Sequence, residues 1–139
     1  MITEDFVSFE TAKLLKEKGF DCNTNCYYIE DFKNLYYSPI RENHNASIEN
    51  NEFDIHINIS SGKMSAPAIQ MAMKWLREVH RIDIEVRTHY LNYLKPNDIR
   101  YYSGKILKGS EDVIHTIYSK DTYEEVCESA IEYCLEKLV

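Results

Sequence analysis

The chain has no long apolar run. None of its hydrophobic stretches approaches the roughly 20 residues that a membrane-spanning helix needs, so no such helix is expected. The first residues, MITEDFVSFETAKLL, lack the basic start and apolar segment of a secretory leader. A cytoplasmic protein is expected. In that setting the Asn-x-Ser matches at Asn45-Ala46-Ser47 and Asn58-Ile59-Ser60 carry no meaning.

Positive charge is also in short supply. Sixteen Lys and Arg stand against 23 Asp and Glu, a net charge of −7. A field of that sign repels phosphate backbones and anionic lipid. Long nucleic acid and membrane surfaces are therefore not expected partners.

Local signatures of catalysis are missing too. There is no Gly-x-Ser-x-Gly, and Ser61-Gly62-Lys63 lacks the spacing of a phosphate-binding loop. No cysteine stands at the start of an expected helix, where its thiolate would be favoured. Cys22 with Cys26, and Cys127 with Cys134, have no zinc-finger spacing. No histidine pair has ligand spacing, and a metal would require His80, His89 and His115 to meet on adjacent strands. No catalytic residue, metal or cofactor is expected. The cysteines read as free thiols. Cys127 and Cys134 lie two helical turns apart, about 10 Å along the axis, which is too far for an unstrained disulfide.

What is present suits one globular domain over residues 1–139, with 44% hydrophobic and 28% charged residues. Eleven tyrosines stand out. Their apolar rings and polar tips suit half-buried sheet faces and interfaces.

The segment SFETAKLLKEKGF predicts a short amphipathic helix. Ser8 caps it and Gly19 stops it, with Phe9, Ala12 and Leu15 on one face. CYYIEDFKNLYYSPI predicts strands at Cys26–Glu30 and Leu35–Ser38, a hairpin whose second strand Pro39 confines to an edge or an end. Residues 41–52, rich in Asn, read as an exposed loop that leaves His44 in solvent. FDIHINIS alternates cleanly and predicts a strand ended by Ser61-Gly62-Lys63.

The stretch SAPAIQMAMKWLREVHRIDIEVRTHY predicts a helix running directly into a strand. Ser65 is the expected cap and Pro67 fits the first turn. Ile69, Ala72, Met73, Leu76 and Val79 or His80 form its apolar stripe, flanked by Trp75 and Ala68. In the strand, Ile82, Ile84, Val86, Thr88 and Tyr90 share one face. Asp83, Glu85, Arg87 and His89 share the other. Lys95-Pro96-Asn97-Asp98 reads as a turn into a strand in which Gly104 marks a bulge. Another turn, Gly109-Ser110-Glu111-Asp112, leads to VIHTIYS, apolar on both faces and so expected to be central. A last helix starts at Thr122, which has capping-box spacing with Glu125.

The order α-ββ-β-α-βββ-α implies an α+β fold, with an antiparallel or mixed sheet of about five to six strands and three helices. Two surfaces draw the eye. Arg81, Arg87, His89, Arg100, Tyr101, Tyr102 and Lys105 would gather basic groups and tyrosines on one sheet surface, suited to a small anionic ligand such as a nucleotide. The plainer reading pairs these cations with Glu78, Asp83 and Glu85. Glu124, Glu128, Glu132 and Glu136 form an i+4 stripe on the last helix, either a solvated face or a surface for a basic partner.

Over ITEDFVSFETAKLLKEKGFD, SAPAIQMAMKWLREVHRIDIEV and TYEEVCESAIEYCLEKLV the chain resembles small proteins of gut Bacteroidales and their phages. That family carries no established activity. The resemblance implies a phage or mobile-element accessory protein, with counter-defence as one such role. The expectation is a non-enzymatic, homo-oligomeric binding protein that acts through a host protein. Alternatives are a sponge-like protein that sequesters a small anionic ligand, such as a signalling nucleotide, and an enzyme of unknown type.

Overall fold

A computed structural model describes residues 3–45, 62–91, 100–109 and 112–139. Its elements run α1 (Phe9–Glu17), β1 (Thr24–Ile29), β2 (Phe32–Glu42), β3 (Lys63–Ser65), α2 (Ile69–His80), β4 (Ile82–Tyr90), β5 (Arg100–Lys108), β6 (Val113–Lys120) and α3 (Tyr123–Lys137). The fold is α+β with the expected element order. The strands do not join into one sheet, however. They form two separate three-stranded antiparallel sheets, ordered β2-β1-β3 and β4-β5-β6. The chain divides correspondingly into two compact units, Met1–Ala68 and Ile69–Val139. Among the described residues, no helix is long and apolar enough to cross a membrane.

In Met1–Ala68, the side chain of Ser8 accepts the Thr11 N–H and so caps α1. At its other end Gly19, with φ of 88°, lets Gly19 N–H reach the Lys16 carbonyl and Phe20 N–H reach that of Leu15. That paired closure needs a left-handed residue, which glycine supplies without a Cβ clash. Thr11, Ala12 and Leu15 are the buried residues of α1. Val7, Phe20, Cys26, Tyr28, Ile29, Met64 and Ala66 are the other buried apolar residues of this unit among those described.

The expected β1–β2 hairpin forms, with Tyr27 opposite Tyr36 and their rings stacked at 5.7 Å. Pro39 lies on β2, an edge strand among the described residues, in the irregular stretch between Tyr37 and Glu42 where it is in no registered pair with β1. Three expectations need correction here. β2 continues through Arg41 and Glu42, so the loop does not begin at 41. His44 is buried at 2% exposure. Ser65 belongs to β3, opposite Tyr27, and caps nothing, because the sheet and Asn45 already take up the backbone there. Helix α2 begins only at Ile69. The expected strand at 53–60, the 46–52 part of the loop and the turn at 95–98 lie outside the described residues, as do residues 110 and 111 of the second turn.

In Ile69–Val139, α2 buries Ile69, Ala72, Met73, Trp75 and Leu76 as its spacing predicts, while Val79 stays exposed. Helix α3 buries Val126, Cys127, Ala130, Ile131, Cys134 and Leu135, and Thr122 caps it by accepting the Glu125 N–H at 3.1 Å. It packs against all three strands, and α2 packs against β4 and α3. β5 is the central strand and β6 an edge, contrary to the expectation from its apolar residues. Val113, Ile114 and Tyr118 of β6 are exposed. The bulge expected at Gly104 does occur in the β5–β6 pairing, but its extra residue sits on β6 between Ile117 and Lys120, where Ser119 has φ of 28°.

Candidate anion site on the β4–β5 face

Strand pairing decides which side chains meet. β4 and β5 pair without interruption from Ile82 opposite Lys108 to Tyr90 opposite Arg100. Residues directly opposite one another share a face, and neighbours along a strand alternate. One face therefore carries Val86 and Gly104, and α3 covers it. A Cβ on Gly104 would stand 2.6 Å from Val126 Cγ1. Tyr102 meets Tyr123 of α3 edge-on at 6.5 Å on the same side. The other face carries Glu85, Arg87 and His89 from β4, and Tyr101, Ser103 and Lys105 from β5.

On that open face lies a cavity of about 440 Å³, lined by Glu85, Val86, Arg87, His89, Ser103, Gly104 and Lys105. His89 is held on two sides. Its Nε2 lies 2.7 Å from Ser103 Oγ, and its ring stacks on Tyr101 at 4.8 Å and 11°. Arg87 stands directly opposite Ser103, and Lys105 directly opposite Glu85. Arg87 and Lys105 are exposed, and among the described residues neither makes an ion pair. Of the acids in the plainer reading, Glu78 alone makes an ion pair among the described residues, and its partner is Arg77, outside the seven candidates, whose Nε lies 3.7 Å from Glu78 Oε1.

The seven sequence candidates therefore separate. Arg87, His89 and Lys105 line the cavity, and Tyr101 backs His89. Arg100 and Tyr102 fall on the opposite face, because an odd step along β5 reverses the side chain. Arg81 lies at the far end of β4 from His89. It is the single residue between α2 and β4, with φ of 58°, and its carbonyl accepts the Gly109 N–H at 3.1 Å. Ser103 was missed, although it sits midway between Tyr101 and Lys105 in a period of two. Of the acidic stripe, Glu124 and Glu136 are exposed, whereas Glu128 and Glu132 are half-buried and already engaged within the chain.

His80, His89 and His115 do not form a metal-ligating group. His115 pairs opposite Ile106 on the helix-covered face and stacks on Tyr133 at 3.8 Å. His80 ends α2 against Trp75, and its Nε2 has no hydrogen-bond partner among the described residues. Among the described residues no group of His, Cys, Asp and Glu is placed to hold a metal ion. All four cysteines are free thiols. Burial raises Cys127 to about 11 and Cys134 to about 12, which keeps both protonated and unreactive at neutral pH.

The chain matches no protein-family model, no curated protein and no solved structure.

Proposed function

We propose that the open face of sheet β4-β5-β6 binds a small oxyanion, a nucleotide being the type that uses the whole cavity. The observation that carries this reading is the pair Arg87 and Lys105. Two cations on neighbouring strands, free of ion pairs among the described residues, border one cavity with a fixed imidazole and a hydroxyl. Both cations are solvated in the empty site, and an entering anion gives them charge-assisted hydrogen-bond partners. The guanidinium fork of Arg87 suits two oxygens of one phosphate, and Lys105 suits a point contact.

The reading is non-enzymatic: the ligand is held, not transformed. Sequestering a signalling nucleotide is the form that a counter-defence role would take here, in keeping with the mobile-element setting implied by the resemblance. A host-protein partner at the acidic stripe on α3 is less favoured. Two of its four glutamates, Glu128 and Glu132, are already engaged.

A thermal-shift screen with inorganic phosphate, sulfate and nucleotides tests the proposal. A ligand at a hundred times its dissociation constant adds about 2.7 kcal/mol of stability. Arg87→Ala and Lys105→Ala should abolish that shift. An absence of response to every phosphate-bearing compound would sink the reading.

A further inference from the structure

The contact between His89 and Ser103 has a direction, and that direction depends on a proton. When the neutral ring carries its hydrogen on Nδ1, Nε2 is an acceptor. The 2.7 Å contact then uses the Ser103 O–H as donor. When the ring is protonated, Nε2 carries a hydrogen and must donate to Ser103 Oγ. The hydroxyl hydrogen is then released from His89 and free to turn into the cavity that Ser103 lines. One proton taken from solvent thus gives an anion in that cavity two things. It adds a positive charge beside Arg87 and Lys105, and where the neutral ring is the Nδ1–H tautomer it also frees the serine hydroxyl to donate.

We propose that His89 and Ser103 make this site proton-linked, so that a phosphate-type anion is bound together with one proton and more tightly as the pH falls. The inference rests on the anion reading above and deepens it. The groups facing His89 bear on its sign. Arg87 on β4 and Lys105 on β5 oppose a third positive charge in the empty site, whereas Glu85 on β4 favours it. Tyr101 lies flat against the ring. An anion between the two cations removes their opposition, and this couples ligand to proton. The stacking on Tyr101 holds the ring in place in both states. Histidine is the side chain best suited to such coupling, because its ordinary charge change lies near neutral pH.

Calorimetric titration with cyclic GMP separates the possibilities, because a phosphodiester keeps one charge near neutral pH. The wild-type protein should bind on the order of tenfold more tightly at pH 6 than at pH 8, the gain of one charge-assisted hydrogen bond. Repeating the titration in two buffers of different ionisation enthalpy should show net proton uptake. The affinity of His89→Gln, whatever its level, should be the same at both pH values, with no proton taken up. Ser103→Ala should keep only part of the dependence, since the charge remains and the donor is lost. Binding that Arg87→Ala abolishes but that is equally tight at pH 6 and pH 8 overturns the proton linkage and leaves the anion reading standing. Binding that is indifferent to both Arg87→Ala and Lys105→Ala, or an absence of cyclic GMP binding together with no response to any phosphate-bearing compound in the thermal-shift screen, overturns the two together.

Discussion

A Cβ on Gly104 would stand 2.6 Å from Val126 Cγ1, closer than real carbon atoms approach. Gly104 is the point where α3 lies directly on the central strand, opposite Val86 on β4 and Ile117 on β6. The glycine is needed for space and not for an unusual backbone angle. Gly104→Ala should therefore cost roughly 1–3 kcal/mol of stability, the range for an overpacked core. Denaturant unfolding measures it, and the cost should shrink when Val126→Ala removes the clashing methyl. Equal costs in both backgrounds would refute the steric account.

Ser65 is fully buried, and its Oγ accepts the buried backbone N–H of His44 at 2.9 Å. Ser65→Ala leaves that donor unpaired, a loss of about 1–3 kcal/mol. Urea midpoints of the two proteins give the value directly. A change within experimental error would mean that the His44 amide finds another partner.

Two histidines make stability depend on pH. Burial lowers the pKa of His44, with Lys63 adding to that effect and Glu42 and the Thr24 carbonyl opposing it. Burial also lowers His80, helped by Lys108. The unfolded chain, with histidine near 6.5, then binds protons more readily than the folded one. Stability from these groups is complete above about pH 6.5 and is lost as the pH falls through that value toward the lower folded-state pKa. Unfolding midpoints should drop between pH 7.5 and 5.5, and His80→Leu should flatten part of that slope. A midpoint that rises on acidification would contradict the assignment.

Thiol labelling at neutral pH should distinguish the cysteines. Cys22 is half-buried, whereas Cys26, Cys127 and Cys134 are buried. A thiol-specific chromogenic reagent should therefore react first at Cys22, and the other three should respond only after denaturant is added. Mass spectrometry locates the label. Early labelling at Cys127 or Cys134 would show that α3 opens locally.

Much of the fold was legible because its signals are local. The Ser8 and Thr122 caps, the left-handed stop at Gly19 and the apolar stripe of α2 all act within a few residues of chain. The alternation in Ile82–Tyr90 was legible for the same reason. His44 was read as solvent-exposed because its neighbours are polar. Its burial comes from partners far along the chain: the Thr24 carbonyl at 3.0 Å from Nε2, the Tyr27 ring at 4.8 Å, and Ser65. No periodicity in residues 41–52 encodes those contacts.

At the candidate site, the residue pattern alone requires a strand with Arg87 and His89 on its polar face, followed by a second strand bearing Tyr101 and Lys105. Side-chain alternation, which is a property of each strand alone, requires this. Strand pairing in the folded chain is what brings Ser103 to His89, turns Arg100 and Tyr102 to the helix-covered face, leaves β6 at the edge and divides six strands between two sheets. These depend on register and on which strands pair. Both are set by hydrogen bonds and packing between residues distant in the chain, which local pattern does not carry.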